Sequence, residues 1–524
     1  TVGSNIFGVD PQLGPLQNNG GPTLTHAIPQ TSPAFNSGND SLFPDANANT
    51  TYDQRGTPFY RVFGFIDMGA FELNNVTIET ELAEAGANVT VTDVNGGNSQ
   101  DRITLRADVA NQTYVLEDRT NRMGNSANMP VANVTIERDG YVALIPFASV
   151  GANGSLIFDL LGNDDVLTVD FSLGNLTIPV VYNGGDPTSG PGDTLVLNNG
   201  SFTNITHTFD DASNGSIDID GQTINYTGLE PIDDNLGAAN RVFNFNGGSE
   251  NISLDNNSGA MVDPSDLIID SSAGESVAFN RPTTSLTINA GSGGDAIQIN
   301  SLGGFNGALT IDGGDGNDTL SIVEALTLGN NLTAGNLYLA AELMTLQMPT
   351  VNLTGGANAG NATFNGNLLL LGNGTASILT DSGGGDDGDV TFSNGTINGA
   401  LSIPLSINAG TGGDVTFNSG ADAGNLVPFS NLTIQGDNIT AANMTTAGPA
   451  STRITFHAEN NIVLNGLLDA GTGNDLSLTA ANGSISDGNG AALNLRGEDL
   501  FLDAETGIGT SNNSIETDVD TLDA

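Results

Sequence analysis

The chain has 524 residues, and sixty acidic residues against eleven basic ones give a formal net charge of −49. All eleven basic residues are arginine, and lysine, cysteine and tryptophan are absent. The lack of a basic stripe argues against a nucleic-acid partner, since phosphate contacts need Lys and Arg. The lack of Cys excludes a disulfide scaffold and a thiol enzyme, and no apolar run is long enough to insert into a bilayer.

Short alternating runs of apolar and polar residues recur along the chain, for example LTVDF, LTIP, LVLN, LTIN and VTFS. Clusters of Gly, Asn and Asp separate them. Runs with a period of two that are bounded by turn residues are typical of strands. Only ETELAEAG at 79–86 and YLAAELMTL at 338–346 have a helical pattern. The sequence therefore predicts an all-β chain.

One turn-and-strand unit repeats. LTINAGSGGDAIQI at 286–299 aligns without gaps to LTIDGGDGNDTLSI at 309–322, and further copies begin at 405 and 467. A spacing of 23–25 residues predicts the coils of a parallel β-helix, or β-solenoid, which must stack to bury their apolar faces. Within L-T-I, Leu and Ile are expected inside and Thr outside, with Asn ladders between coils. The copy at 405 is expected about five coils beyond the first.

These patterns divide the chain into three predicted parts. Residues 1–73 form a closing segment, residues 74–235 form one or two β modules that are solenoidal or sandwich-like, and residues 236–524 form the main β-solenoid. Because the sequence starts with Thr1 and its last run, ETDVDTLDA, carries no ending signal, we expect a segment of a longer, processed chain.

VDPQLGPLQNNGGPTLTHAIPQTSPAFNSG at 9–38 and DQRGTPFYRVFGFIDMGAFEL at 53–73 give residues 1–73 a family resemblance. The segment resembles the closing segment of bacterial parallel β-helix surface proteins of the choice-of-anchor Q type. This resemblance implies a β-helix upstream of Thr1 and a secreted or cell-surface location, in a group of proteins that mostly have no known enzymatic activity.

Two further resemblances lie in the second half. GGDGNDTLSI at 313–322 resembles the calcium-binding nonapeptide of RTX proteins, with Gly313, Gly314, Gly316 and Asp318 at motif positions. The final third, from GGDVTFNSG through LSLTAANGSISDGNG to IETDVDTLDA, is similar to the repeats of filamentous-haemagglutinin-like giant adhesins. The first implies calcium in the turns, and the second implies an adhesin shaft.

The carboxylate turns are the first candidate site. Asp295 and Asp318 are predicted to lie one coil apart at the same corner, where their oxygens and Gly-rich backbone carbonyls would suit calcium. The alternative is that each Asp caps its own turn. The candidate calcium ligands are Asp295, Asp312, Asp315, Asp318, Asp414, Asp469 and Asp475.

Asparagine glycosylation is the second candidate. The chain has 25 N-x-[ST] sequons, more than twice the number that its Asn, Ser and Thr content predicts. The spacing of two places Asn and hydroxyl on the same outward strand face. The singled-out acceptors are Asn75, Asn88, Asn111, Asn133, Asn175, Asn204, Asn225, Asn331, Asn352, Asn361, Asn373, Asn394, Asn431, Asn438 and Asn443.

Seven of the eleven arginines lie between residues 55 and 138, and RITLRADV predicts Arg102 and Arg106 on one strand face. They are a candidate interface with an acidic surface, and the alternative is local ion pairing.

Catalysis has little support, because His26, His207 and His457 form no spaced motif. We expect His207 and His457 on exposed strand faces.

These features lead us to expect a structural segment of a large extracellular or cell-surface protein, such as a stalk, fibre or adhesin shaft. Its expected partners are further copies, neighbouring segments of the same giant chain, and glycans. One alternative is a calcium-binding RTX-like adhesion module. The other is a polysaccharide-cleaving β-helix enzyme with paired carboxylates. No cofactor besides calcium is expected.

Overall fold

The computed structural model confirms the all-β class. It describes residues 6, 8–39, 51–73, 79–94, 99–185, 192–229, 231–256, 267–272, 274–329, 334–355, 358–372, 374–383, 386–399, 403–418, 429–446 and 453–524. Within these residues the helical turns are three 3₁₀ helices, Arg138–Gly140, Phe147–Ser149 and Phe171–Leu173. In the part of the chain so described, no helix has the length and hydropathy to cross a membrane.

The strands are short and follow one another closely. Up to residue 236 they are β1 (Leu16–Gln17), β2 (Thr25–His26), β3 (Thr80–Ala85), β4 (Asn88–Asp93), β5 (Arg102–Asp108), β6 (Thr113–Asp118), β7 (Met123–Asn125), β8 (Thr135–Glu137), β9 (Val142–Pro146), β10 (Leu156–Asp159), β11 (Val166–Asp170), β12 (Val180–Asn183), β13 (Thr194–Asn198), β14 (Ser201–Asp211), β15 (Asn214–Ile219), β16 (Gln222–Thr227) and β17 (Ile232–Asp234).

The strands from residue 237 onward continue in the same manner. They are β18 (Gly237–Phe245), β19 (Asn251–Asn256), β20 (Leu267–Ser271), β21 (Gly274–Phe279), β22 (Ser285–Asn289), β23 (Ser292–Gly293), β24 (Ala296–Ile299), β25 (Ala308–Asp312), β26 (Asp315–Gly316), β27 (Thr319–Ile322), β28 (Leu326–Thr327), β29 (Leu337–Leu346), β30 (Thr350–Asn352), β31 (Ala362–Leu370), β32 (Ala376–Leu379), β33 (Val390–Ser393), β34 (Ile397–Gly399), β35 (Leu405–Asn408), β36 (Val415–Phe417), β37 (Leu432–Gly436), β38 (Ile439–Ala441), β39 (Met444–Thr445), β40 (Arg453–Ala458), β41 (Ile462–Leu464), β42 (Leu468–Asp469), β43 (Asp475–Ala480), β44 (Ser484–Asp487), β45 (Leu495–Ala504), β46 (Gly507–Ile508) and β47 (Thr517–Asp523).

The contacts divide the chain into two compact units. Unit 1 comprises Thr1–Phe202, Ser213–Leu236 and Glu275–Phe279. Unit 2 comprises Thr203–Ala212, Gly237–Gly274 and Asn280–Ala524.

Parallel ladders stack the coils of unit 1. One ladder joins β4, β10, β12 and β16, and the other joins β5, β11, β13 and β17. Antiparallel hairpins such as β3–β4, β5–β6 and β15–β16 interrupt the coils. The offset between paired residues therefore varies, from 24 between Leu156 and Val180 to 67 between Val89 and Leu156.

The segment before β3 packs on the strands that follow it in unit 1. Phe35 and Phe65 each contact the buried Tyr141 edge-on, with ring centroids 6.4 Å apart. Ile28 and Phe71 complete this apolar cluster. The segment thus buries its apolar side chains against its downstream neighbour within the unit.

Unit 2 consists of regular parallel coils. One row of paired residues contains Leu286, Leu309, Leu337, Ala362, Val390, Val415, Ile439, Ile462, Ile485 and Ile508. A second row contains Val351, Ile378, Ile407, Ile434, Phe456, Leu478 and Leu502. Neighbouring members are 22–29 residues apart in sequence, which is close to the predicted coil length.

The predicted side-chain alternation is also confirmed. Leu286 and Ile288 are fully buried, whereas Thr287 between them is partly exposed. Within the coils of unit 2 the rings of Phe364, Phe392 and Phe417 stack, with centroids 5.2 and 4.9 Å apart. Side chains at equivalent positions of successive coils therefore pack against one another in the interior.

Two expectations about local structure are wrong, and a third is only partly right. Residues 79–86 and 338–346 are strands rather than helices. The second run looks helical because it covers two strand segments, and the register shifts between Ala340 and Leu343. The copy that begins at 405 lies in the second row, whereas five coils beyond Leu286 the first row has reached Val415. The same turn-and-strand unit therefore serves different sides of the coil.

The phenylalanine stack gives a stability prediction. Phe392→Ala should lower the free energy of unfolding by about 3–5 kcal/mol, because it leaves a cavity between two neighbouring rings. Phe501→Ala is the matched control, since Phe501 is 42% exposed. Urea unfolding measures both variants, and equal losses would contradict the stacked interior.

Candidate functional site

Asp295 and Asp318 lie at the same corner of successive coils, as the sequence predicted. Asp318 Oδ1 accepts the backbone N–H of Asp295 at 2.8 Å, and Asp295 Oδ1 accepts the N–H of Glu250 at 2.8 Å. All three side chains are at most 2% exposed. Glu250, Asp295 and Asp318 form what we term the unit 2 acid column.

Glycine residues in the turn leave space for the carboxylate side chains that point into the coil. A Cβ atom on Gly313 would lie 2.7 Å from the Asp318 side chain, and Gly314 has a left-handed φ of 83°. Glycine is the residue that tolerates both conditions. The Gly-Gly pair of the GGDGND turn therefore accommodates Asp318 as it points into the coil.

The other predicted calcium ligands point elsewhere. Asp312 Oδ1 accepts the N–H of Gly314 at 3.0 Å in its own turn, and Asp315 is exposed. Asp414 accepts the N–H of Asn438 at 3.1 Å. Asp469 and Asp475 pair with arginines, at 3.1 Å from Arg496 and 3.4 Å from Arg453 respectively. Within the described ranges, no three Asp, Glu or His side chains converge as metal ligands would.

Unit 1 contains a second column of the same kind, which the sequence reasoning missed. Asp165 Oδ1 accepts the N–H of Asp101 at 2.7 Å, and Asp193 Oδ1 accepts the N–H of Asp165 at 2.7 Å. All three side chains are fully buried. We term Asp101, Asp165 and Asp193 the unit 1 acid column.

A sequence signal for both columns exists. In each case an acid stands two positions before the first buried aliphatic residue of a strand, as in Asp165-Val166-Leu167 and Asp318-Thr319-Leu320. The same spacing holds at Asp101-Arg102-Ile103. An acid at the strand entry, rather than the glycine pattern alone, marks a column position.

Burial perturbs the titration of both columns. Desolvation, with Asp118 as a neighbouring charge, raises the pKa of Asp101 to about 7. Desolvation, with Asp101 and Asp193 nearby, raises the pKa of Asp165 to about 8. Desolvation and Asp295 raise the pKa of Glu250 to about 7. Because a second carboxyl oxygen of Asp101 and Asp165 has no hydrogen-bond partner in the described structure, the neutral acid is the favoured form.

A third column lies at another corner of unit 2 and consists of amide and carboxylate side chains. Each accepts the backbone N–H of the next coil, at 2.8–3.2 Å. The accepting residues of this Asx column are Asn336, Asn361, Asp389, Asp414, Asn438 and Asn461. The predicted ladder between coils is confirmed here, with side chains bonding to backbone.

The predicted glycosylation acceptors lie on the surface wherever the structure describes them. Asn88, Asn352 and Asn438 are half-buried, and Asn75, Asn331 and Asn373 lie outside the described residues. The exposed acceptors are Asn111, Asn133, Asn175, Asn204, Asn225, Asn361, Asn394, Asn431 and Asn443. Sequon use itself stays a prediction.

Arg102 and Arg106 share the outward face of β5, which alternates with the inward face formed by the buried Ile103 and Leu105. Arg106 bonds Asp170 at 2.7 Å and Glu117 at 3.1 Å. Arg102 is exposed, and its backbone N–H donates to Asp118. Arg106 is therefore held by local ion pairs, and Arg102 is the more accessible cation.

The histidines remain apart from these columns. His26 is exposed and lies 2.7 Å from the carbonyl oxygen of Gly14. His457 is exposed on β40, as expected. The expectation for His207 is wrong, because it is fully buried and stacks on Phe243 at 5.1 Å. It lies two residues before the inward Phe209 on β14 and so on the same face, where it occupies an aromatic core site.

Within residues 51–73, several of the residues that carry the family resemblance form a buried charged network. Arg55 pairs with Asp53 at 2.6 Å and lies between the rings of Phe59 and Phe71, 3.9 Å from each centroid. Burial, with Asp67 as a neighbouring charge, raises the pKa of Glu72 to about 8. These contacts hold the segment together internally.

Three comparisons with known proteins, against family models, curated sequences and solved structures, found no match.

The acid columns predict that stability falls with rising pH. A carboxyl whose folded-state pKa is raised above the usual value of about 4 stabilises the fold below that value, and this contribution is lost as the pH passes the folded-state pKa. For two of these acids the loss begins above about pH 4 and is complete once the pH exceeds the folded-state pKa, about 7 for Asp101 and about 8 for Asp165. We expect a lower midpoint of thermal unfolding at pH 9 than at pH 5.

Asp165→Asn should reduce this pH dependence, because the amide keeps an acceptor for the Asp101 N–H and carries no charge. Asp503→Asn, at an exposed position, is the control. A midpoint that rises from pH 5 to pH 9 would contradict the assignment.

The Asx column gives a second prediction. Asn438→Ala should cost about 1–3 kcal/mol in the free energy of unfolding, because the N–H of Asn461 loses its acceptor. Asn225→Ala is the matched control, since Asn225 is also a sequon residue and is exposed on β16. Denaturant unfolding of unglycosylated protein compares them, and a neutral Asn438→Ala would refute the structural role of the column.

Proposed function

We propose that the chain is a structural segment of an extracellular or cell-surface protein, serving as a stalk, fibre or adhesin shaft. The observation that carries the proposal is the stacking of coils through backbone ladders and side-chain columns. In these columns Asp and Asn side chains bond to the backbone of a neighbouring coil and so hold the coils together. This use of acids accounts for them without a catalytic or transport role.

Exposed apolar surface supports self-association as part of this role. Val9, Leu13, Leu16 and Leu24 are each at least half exposed and line a groove of about 760 Å³ in unit 1. In unit 2, β47 pairs with β45 and carries Leu522, which is 55% exposed. Unpaired strand edges and contiguous apolar patches are common contact surfaces between chains.

The sequons support a glycosylated surface in the same proposal. Asn431 and Asn443 each use Oδ1 to accept a backbone N–H of the next coil, at 3.0 and 2.8 Å. A glycan attaches to Nδ2, so modification leaves these bonds available. Asn438 differs, because its Nδ2 donates to Asp414 and Asp437 at 2.9 Å.

Sedimentation velocity over a concentration series tests self-association. We expect larger species at higher concentration, and Leu16→Asp with Leu24→Asp should remove them, because charge disfavours burial of the groove. Val109→Asp, at another exposed apolar position, is the control. A monomer at every concentration would contradict the fibre proposal. If the control Val109→Asp removed the larger species as fully as the double substitution, the groove would be excluded as the contact surface.

Intact mass spectrometry of material from the natural source tests the glycan part. A mass above the 53.4 kDa of the polypeptide that falls on glycosidase treatment supports sequon use. The calcium-binding adhesion module stays the rival prediction, and it requires that the chain folds only when calcium is bound.

A further inference from the structure

We propose that a polar cleft in unit 1 binds a short acidic saccharide whose carboxylate pairs with the guanidinium of Arg102. The cleft has a volume of about 660 Å³. Its lining includes Gln30, Ser32, Gln100, Arg102 and Asn121. Its volume falls in the range of about 300–1,000 Å³ that is usual for ligand sites.

The charge arrangement at the cleft points to an anion. Arg102 at the start of β5 and Arg119, the residue after β6, both line the cleft. Arg119 pairs with Glu117 at 2.6 Å and donates to the carbonyl oxygen of Asn36 at 3.3 Å, whereas Arg102 forms no ion pair among the described residues. In a chain with sixty acids, Arg102 is therefore the cation in the cleft that is available for an external carboxylate.

The neutral wall of the cleft suits sugar hydroxyl groups. Gln30 Nε2 donates to the carbonyl oxygen of Thr120 at 2.6 Å and to Asn121 Oδ1 at 2.9 Å. Thr31 Oγ1 donates to Gln12 Oε1 at 2.7 Å. These bonds fix amides and hydroxyls in place before a ligand arrives, which reduces the entropy lost on binding. Glu79 is the single acid among the residues that line the cleft.

The ligand class follows from combining these features. The planar guanidinium matches a carboxylate through two parallel hydrogen bonds. A long polyanion would meet the field of a chain with a net charge of −49, and this repulsion extends beyond the cleft. A short saccharide with few carboxylates uses the local cations and avoids most of that repulsion. The cleft adjoins the self-association groove and shares Val9 and Pro33 with it. Arg102 lines the cleft but not the groove, whereas Leu16 and Leu24 line the groove but not the cleft, so the two sets of substitutions test the two proposals separately.

Isothermal titration calorimetry with trigalacturonate tests the site, using the full chain at 0.15 M salt, where charges are screened beyond about 8 Å. The fully methyl-esterified trisaccharide is the uncharged comparison. We expect the acid to bind and the ester to bind at least about tenfold more weakly, because the ester cannot accept a charge-assisted pair.

Arg102→Gln should weaken binding of the acid by a similar factor, and Arg453→Gln, at a 66% exposed arginine in unit 2, should leave it unchanged. Both substitutions are at exposed positions, and circular dichroism confirms that each variant is folded. The proposal is overturned if the acid does not bind, if the ester binds equally, if Arg102→Gln binds normally, or if Arg453→Gln loses as much affinity.

Discussion

The fold depends on how backbone N–H groups are satisfied at the corners of each coil. Strand ladders pair the groups within strands, but corner residues lie outside them, and a buried N–H without an acceptor is costly. In both units an Asp, Glu or Asn side chain of a neighbouring coil supplies the acceptor, as Asp318 does for Asp295 and Asn438 does for Asn461. The hydrogen bonds that satisfy the corner N–H groups are therefore the same bonds that join neighbouring coils.

The columns differ in direction and in environment. In the acid columns the residue of the later coil accepts from the earlier coil, and its side chain is buried. In the Asx column the earlier coil accepts from the later one, and the side chains are at least partly exposed. Burial favours neutral acids in the first case, so part of the formal charge of −49 is expected to be absent from the folded protein near neutral pH.

Much of this architecture could be predicted from the sequence, because the relevant signals are local. The alternation in Leu286-Thr287-Ile288 sets inside and outside, and the 23-residue repeat places Asp295 beside Asp318. Which corner a turn occupies could not be predicted, since the motif at 405 is the same on another side of the coil. The bulge within β29 and the burial of His207 likewise depend on neighbouring coils, which the local pattern does not specify.

The candidate site was predicted less completely than the fold. A cluster of acids at Gly-rich turns predicts calcium equally well whether the side chains point outward or inward, and only the coil geometry separates Asp318 from Asp312. The residues that line the Arg102 cleft are far apart in sequence, from Gln30 to Asn121, so no local sequence motif predicts the cleft. Sequence spacing identified the residue types, and packing determines which of them meet.

Hydrogen–deuterium exchange of the full chain, with and without EDTA, tests most directly whether the columns hold the coils without a metal ion. The account predicts strong protection of peptides that cover residues 285–322, and the same protection after EDTA treatment. Protection that is lost in EDTA and returns with added calcium would contradict it and favour the calcium-dependent module.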